Sequence, residues 1–449
     1  MSNNPTILCV NPWIHDFAAY DFWARPLGLL EIAAILRSCG CRVFYIDCTD
    51  RFHPLAPVQR PDARHGRGPY IKTPIPKPAG LEDIPRTYSR YGIPEQWFLH
   101  DLLSVPRPDV VLVTSIMTYW YPGVAETIKT IKQALPGVPV VLGGVYASLC
   151  PDHARMHSGA DIVAAGDAKV NLPGIIEQCT GARLDPGFDI SDPDFFPVPA
   201  LDLQRIIPFV PLLTTRGCPF SCTYCASHIL HPGPMVRRSP ESVVDEIARW
   251  HEKYKVRDFV FYDDALLVDA ENHFEPIARS IIKKGWNIRF HTPNAIHVRE
   301  VNETTARLMR DAGFETVRLG LETDLFGNDR TLDSKVKLHE FERAVASLKL
   351  AGFTRKMTGA YMLVGLPNQE LEEIKQGFAF VAERGITPIP AYYTPIPGTA
   401  MWPDAVACSR YDIESDPVYT NNALLPCMDI PFSWDIITRI KKWANSEED

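Results

Sequence analysis

Thr215-Arg216-Gly217-Cys218-Pro219-Phe220-Ser221-Cys222-Thr223-Tyr224-Cys225 is the stretch around which the chain is organised. Three cysteines stand at CxxxCxxC spacing. They sit on a loop that follows the uncharged run Phe209, Val210, Pro211, Leu212 and Leu213. Three thiolates this close suit three irons of a [4Fe-4S] cube and leave one iron without a protein ligand. An open iron is a place for chemistry, as the open position is on a catalytic zinc. The rival reading is a zinc site made by Cys218, Cys222, Cys225 and His228. Structural zinc usually draws on two separated ligand pairs, and no second pair stands here. Spacing alone leaves both readings open, and the pattern downstream favours the cluster.

The bulk numbers bound the class. The chain has 449 residues, 46% hydrophobic and 22% charged, enough for two or three domains with their own cores. The net charge of −8 gives no basic excess for nucleic acid. No apolar run of about 20 residues could span a bilayer, and Met1 to Thr6 lacks a signal peptide's pattern. The expected location is the cytoplasm. Eleven cysteines, an odd number without a secretion signal, argue against a disulfide framework.

The first half alternates strands and helices. Thr6 to Val10, Arg42 to Ile46, Val110 to Thr114, Val138 to Leu142 and Asp161 to Ala164 read as strands. Leu27 to Leu36, Val124 to Ala134 and Asn171 to Cys179 read as helices. This pattern predicts a doubly wound parallel sheet. Ligands on such sheets sit beyond the strands' carboxyl ends, which here are Asn11 to Arg25, Ser115 to Tyr121 and Gly143 to Tyr146. That face carries Trp13, Phe17, Tyr20, Phe22, Trp23, Tyr119, Trp120 and Tyr121. Residues 51–98 are a Pro-rich insertion, where long regular elements are not expected. Its Arg64, Arg67, Lys72, Lys77, Arg86 and Arg90 are candidates for an anionic ligand or for a solvated cap.

The domain limits expected are 1–184, a linker at 185–204, a barrel at 205–400 and an extension at 401–449. In the barrel, strands are predicted at Val210 to Thr214, Phe259 to Tyr262, Asn287 to His291, Thr316 to Leu319, Thr358 to Val364 and Thr387 to Tyr392. Helices alternate with them, giving a partial (β/α)6 barrel. Gly313 and Gly352 close two of these helices.

The cysteine motif, with Tyr224 before its third cysteine, resembles the radical S-adenosylmethionine (SAM) superfamily. The resemblance implies that Cys218, Cys222 and Cys225 hold the cluster and that SAM chelates the free iron. Reductive cleavage of SAM then gives a 5′-deoxyadenosyl radical. It also implies that Asp263 and Asp264 lie near the SAM amino group, Glu322 near its ribose, and Tyr224 and Met362 to Pro367, Gly365 included, along its adenine. Pro395 to Thr399 resembles the family's turn after strand six. His291, Asn294 and His297, after strand three, are candidates for substrate contact or proton movement.

Pro26 to Leu30, Thr114-Ser115 and Gly143-Gly144 resemble the cobalamin-binding domain of class B members. The resemblance implies that the paired glycines let the cofactor's nucleotide tail approach the backbone. The DxHxxG motif that supplies a cobalt-ligating histidine is absent. His15 lies in the corresponding loop, but Asn11-Pro12-Trp13-Ile14-His15 is a different pattern. The activity implied is cobalamin-dependent methylation of an unactivated carbon. Its substrate would be a small molecule or peptide, and its electron donor a flavodoxin or ferredoxin. The alternatives are radical cyclisation, rearrangement or oxidation without methyl transfer, and a cobalamin or redox sensor.

Overall fold

A computed structural model describes residues 4–445, apart from 186, 188, 190, 191, 195, 196 and 429–432. The chain divides into two units, Met1–Pro208 with Ser415–Thr420, and Phe209–Glu414 with Asn421–Asp449. The extension expected at 401–449 is therefore split between them. Part of the expected linker lies outside the described residues.

The first unit contains β1 (Thr6–Asn11), β2 (Ile14–Asp16), α1 (Leu27–Ser38), β3 (Arg42–Asp47), β4 (Lys72–Pro74), β5 (Ser89–Tyr91) and α2 (Glu95–Ser104). It continues with β6 (Val110–Val113), α3 (Tyr121–Ala134), β7 (Val140–Leu142), α4 (Val145–Leu149), α5 (Pro151–His157), β8 (Ile162–Val163) and α6 (Ala168–Thr180). Five strands form a parallel sheet in the order β3-β1-β6-β7-β8. β1 is buried at every residue, as a central strand covered on both faces must be. The strand order reverses between β1 and β6, the place where such sheets take ligands.

The loop after β1 differs from expectation. It contains β2, which pairs antiparallel with β5, and β5 pairs with β4. The insertion thus folds back as a three-stranded sheet. Arg51 holds it there, donating to Asp21 Oδ2 at 2.9 Å and to Gln59 Oε1 at 2.7 Å. Several of its cations are absorbed in this packing. Arg67 lies over the Trp23 ring at 4.4 Å, Arg64 donates to Tyr20 Oη, and Arg90 pairs with Glu126 at 2.8 Å. The aromatic residues of the expected ligand face are largely used in packing too. Trp13 is 1% exposed, stands edge-on to Phe98, and donates its Nε1–H to Ile93 O at 2.7 Å. Phe17, Trp23 and Tyr119 are buried, whereas Phe22 is 65% exposed.

The second unit contains β9 (Val210–Leu212), β10 (Thr215–Arg216), α7 (Ser227–Leu230), β11 (Val236–Arg237), α8 (Pro240–Ala248), β12 (Asp258–Phe261), α9 (Phe274–Lys284) and β13 (Arg289–His291). It continues with α10 (Glu303–Ala312), β14 (Phe314–Glu322), α11 (Leu338–Leu350), β15 (Thr358–Val364), α12 (Leu371–Glu383), β16 (Thr387–Tyr392), α13 (Trp402–Cys408) and α14 (Asp435–Asn445). Six of its strands form one parallel sheet in the order β16-β15-β14-β13-β12-β9, with β9 and β16 at its two edges. This is the expected open barrel. The rings of Phe259, Phe261, Phe290 and Phe314 pack against one another across neighbouring strands. The helix limits follow local chemistry: Ser239 Oγ accepts from Ser242 N at the start of α8, and Gly313 at φ +97° closes α10.

Among the described residues, no helix is long and apolar enough to cross a membrane.

Candidate functional site

The cysteines lie on the loop between β9 and α7, braced by the β10–β11 hairpin. Gly217 takes φ +80° at its turn, a conformation that favours glycine. Cys222 is buried, while Cys218 and Cys225 are partly buried. His228 is exposed. Burial pushes all three thiols up, Cys222 to about 11, against the pull of the Lys335 charge on each. Deprotonation here therefore goes with metal binding.

Asp263 follows β12. Its Oδ1 accepts from the backbone N–H and the hydroxyl of both Thr214 and Thr215, at 2.6 to 3.0 Å. Its Oδ2 is buried with no partner among the described residues, an acceptor of the kind an ammonium group takes. Burial raises its carboxyl to about 6, opposed by the Thr214 and Thr215 hydrogen bonds. Asp264 differs, accepting from Ser227 Oγ at 2.6 Å at the start of α7.

Glu322 ends β14 at φ +69°, where the register with β15 shifts between Gly320 and Glu322. A bulge of this kind re-aims a side chain. The Glu322 carboxylate meets Lys335 Nζ at 2.8 Å, and the same Nζ donates to Tyr224 Oη at 3.0 Å. Lys335 was not legible as a site residue in the sequence. It lies in the irregular segment between β14 and α11, where no periodicity or motif marks it. The segment is nonetheless rigidly built. Arg330 donates to both oxygens of Asp333, Asp333 Oδ1 accepts from Lys335 N, and Thr223 of the cysteine loop donates to Leu332 O at 2.9 Å. Burial alone would lower the Lys335 ammonium, but Glu322, Cys222 and Asp333 outweigh it and hold it above its ordinary range. Gly365, at φ +86°, turns after β15, and its N–H donates to Gln369 Oε1 at 2.8 Å.

The three candidates after β13 part company. His291 is fully buried, with Nδ1 3.1 Å from Thr316 Oγ1 and Nε2 2.9 Å from Asp258 Oδ1. Asn294 Nδ2 donates to Tyr262 O at 2.7 Å and shapes the loop. His297 stands against the cysteine loop, its Nε2 3.8 Å from Cys218 Sγ.

In the first unit, Ser115 follows β6 and donates its Oγ–H to Gly143 O at 2.7 Å. The two glycines have different duties. Gly144 takes φ +92°, and a Cβ there would stand 2.3 Å from Ser115 O, so this glycine serves contact within the protein. A Cβ on Gly143 would meet only Ala164 O, at 3.9 Å, which leaves its side open. That open backbone suits a nucleotide tail. His15, in β2, is committed elsewhere: its Nε2 lies 2.6 Å from Glu126 Oε2. Burial raises the Glu126 carboxyl, but His15 and Arg90 together hold it below the usual range.

Residues 212–381 match the Radical SAM superfamily model, and residues 99–176 match the B12 binding domain. An uncharacterized methyltransferase of Pyrococcus horikoshii is 24% identical over 70% of this chain and 74% of its own. The cytidylyl-2-hydroxyethylphosphonate methyltransferase of Streptomyces wedmorensis is 21% identical over 96% of this chain and 86% of its own. The solved radical SAM methyltransferase TsrM from Kitasatospora setae, with cobalamin and a [4Fe-4S] cluster bound, superposes with a TM-score of 0.63. Its identity is 17%, over 90% of this chain and 78% of its own. At that identity the likeness speaks for the fold. With both models matched in order, the chain carries a radical SAM domain preceded by a B12-binding domain.

Proposed function

We propose that the protein is a cobalamin-dependent radical SAM methyltransferase that methylates an unactivated carbon of a small-molecule or peptide substrate. Electrons would come from a flavodoxin- or ferredoxin-type donor. The observation that carries the reading is the Tyr224–Lys335–Glu322 contact beside the three-cysteine loop, in a chain whose residues 99–176 match the B12 binding domain. When bound, the cluster with SAM supplies a carbon-centred radical and cobalamin supplies a transferable methyl group.

The chain's own residues bind and orient. Cys218, Cys222 and Cys225 hold three irons and leave the fourth for SAM. Asp263 Oδ2 accepts from the SAM ammonium, in an orientation fixed by the four hydrogen bonds on Oδ1. Asp264 steadies the start of α7 through Ser227. Glu322 accepts from the ribose hydroxyls, and Lys335 holds its carboxylate in place. Tyr224 and the Gly365 turn flank the adenine. In the first unit Gly143 gives backbone access to the nucleotide tail of cobalamin, and Ser115 holds that turn.

The test is an anaerobic reaction of the reconstituted, reduced protein with SAM. Formation of 5′-deoxyadenosine and of S-adenosylhomocysteine is expected. 5′-Deoxyadenosine coupled to substrate without S-adenosylhomocysteine would replace methylation by cyclisation or oxidation. Replacement of Cys218, Cys222 and Cys225 together by Ala should remove nearly all iron. Retention of about four irons per chain by that variant would refute the site.

A further inference from the structure

His297 is a buried imidazole beside the cysteine loop that the proposed function leaves without a task. It is 6% exposed. Its Nε2 lies 3.8 Å from Cys218 Sγ, within the reach of a hydrogen bond to sulfur. Its Nδ1 is buried without a partner among the described residues. The ring is held from several sides. Phe220, two residues after Cys218, packs on it with ring centroids 4.5 Å apart. Arg299 lies over the Phe220 ring at 5.1 Å and ties its own loop to the Lys335 segment, donating to Lys335 O at 2.9 Å and Ser334 O at 2.6 Å. Just before His297, Ile296 N donates to Arg318 O and Gly320 N donates to Ile296 O, which fastens the loop to β14.

Iron-bound, the Cys218 sulfur has no proton and is an acceptor only. A neutral imidazole carries one N–H. On Nδ1 that hydrogen would be buried with nothing to accept it, whereas on Nε2 it points at sulfur. The ring packing thus selects the Nε2–H tautomer. Reduction of the cube adds one electron from the external donor and makes its sulfurs more negative, so an N–H donated to one of them favours the reduced state.

We propose that His297 donates its Nε2–H to the Sγ of Cys218 and thereby raises the reduction potential of the cluster. His297 is a positioning residue: it acts through a cluster ligand and does not itself bind iron. The inference rests on the cluster reading above, and its test separates the two.

The full chain is reconstituted anaerobically, its iron counted, and its cluster titrated against redox mediators by electron paramagnetic resonance. His297→Leu should keep its iron and lower the potential. The expected change is about tenfold in the reduction equilibrium, or about 59 mV for a one-electron couple. His297→Gln, which keeps an N–H at similar reach, should recover most of the shift. An unchanged potential in a fully loaded His297→Leu cluster overturns the proposal, as does a Gln variant as low as the Leu variant.

A second measurement stands if the Leu variant fails to load. Protein labelled with ¹⁵N-histidine should show a weak hyperfine coupling in the reduced cluster's pulsed spectrum, and the coupling should be absent in His297→Gln. No coupling in the parent protein, or a strong one typical of a directly bound nitrogen, overturns the proposal while leaving the cluster assignment intact. A parent protein that takes up no cluster would sink the assignment itself, and this proposal with it.

Discussion

Lys335 Nζ stands 2.8 Å from Glu322 Oε1, with both side chains 8% exposed. An ion pair withdrawn from water this far persists because its remaining polar atoms are satisfied. Here Tyr224 Oη takes a further hydrogen from Lys335. The pair links a strand end to an irregular loop and to the cysteine loop, so it couples the stability of the barrel mouth to the site.

Lys335→Met leaves the Glu322 carboxylate buried without its cation. It should cost about 3 kcal/mol in denaturant unfolding of the apo protein, because breaking one partner of a buried pair is far more costly than losing both. The double variant Glu322→Gln/Lys335→Met should recover part of that loss, which a double-mutant cycle measures. Additive losses would show that the pair is not coupled. Glu322→Ala alone should keep its iron and bind SAM about tenfold more weakly, the size of one charged hydrogen bond. Unchanged SAM affinity by calorimetry would remove Glu322 from the SAM site.

Acid should act on the barrel through His273. This buried imidazole has its Nε2 2.9 Å from Thr214 Oγ1, the hydroxyl that also donates to Asp263. Burial, helped by the Arg237 charge, depresses it from 6.5 to about 4. The folded state therefore resists a proton that the unfolded chain accepts. The contribution of His273 is fully present above about 6.5 and is lost as pH falls toward 4. The stability difference between the parent and His273→Gln should move against the parent across that window, by at most about 3 kcal/mol. A difference that is flat between pH 7 and 4 would contradict this.

Gly143 and Gly144 should separate in a way their adjacency hides. Gly144→Ala forces a side chain into φ +92° and within 2.3 Å of Ser115 O, so it should lose at least about 2 kcal/mol of stability. Gly143→Ala meets only Ala164 O at 3.9 Å and should fold normally. Its added methyl would occupy the open backbone side, so cobalamin should bind more weakly in a spectroscopic titration. Equal cobalamin affinity in parent and Gly143→Ala would place the nucleotide tail elsewhere.

The parts of the fold legible in the sequence share a cause. Buried parallel strands read as short apolar runs, and the helix ends at Ser239 and Gly313 carry their own caps. The three cysteines of the motif likewise lie within one loop. What escaped depends on partners far apart in the chain. β2 becomes a strand only because β5, some 75 residues on, pairs His15 with Arg90. Trp13 leaves the ligand face because Ile93 O and Phe98 draw it inward. Ser415–Thr420 joins the first unit through Asp416, which accepts from Tyr121 Oη at 2.8 Å. Lys335 becomes a site residue only once Arg330 and Asp333 have shaped its loop.

The same distant pairing bears on cobalt. His15 is the one histidine in the loop where a cobalt ligand would be sought, and β2 fixes it with its Nε2 2.6 Å from Glu126. Arg90, its strand partner, holds the other carboxylate oxygen at 2.8 Å. Freeing the imidazole for cobalt would leave Glu126 with Arg90 alone. We therefore expect a corrinoid bound here without His15 as its lower ligand. Water, a weaker side chain or nothing would occupy that position, which weakens the hold on cobalt and alters methyl-transfer reactivity. The chain reconstituted anaerobically with hydroxocobalamin should give a stoichiometric complex. Its visible spectrum should be the same in His15→Ala, although that variant should unfold at lower denaturant because Glu126 has lost a partner. A spectral shift or loss of the complex in His15→Ala, with the fold intact by circular dichroism, would make His15 the ligand. No complex in the parent protein would remove the methyl carrier from the mechanism.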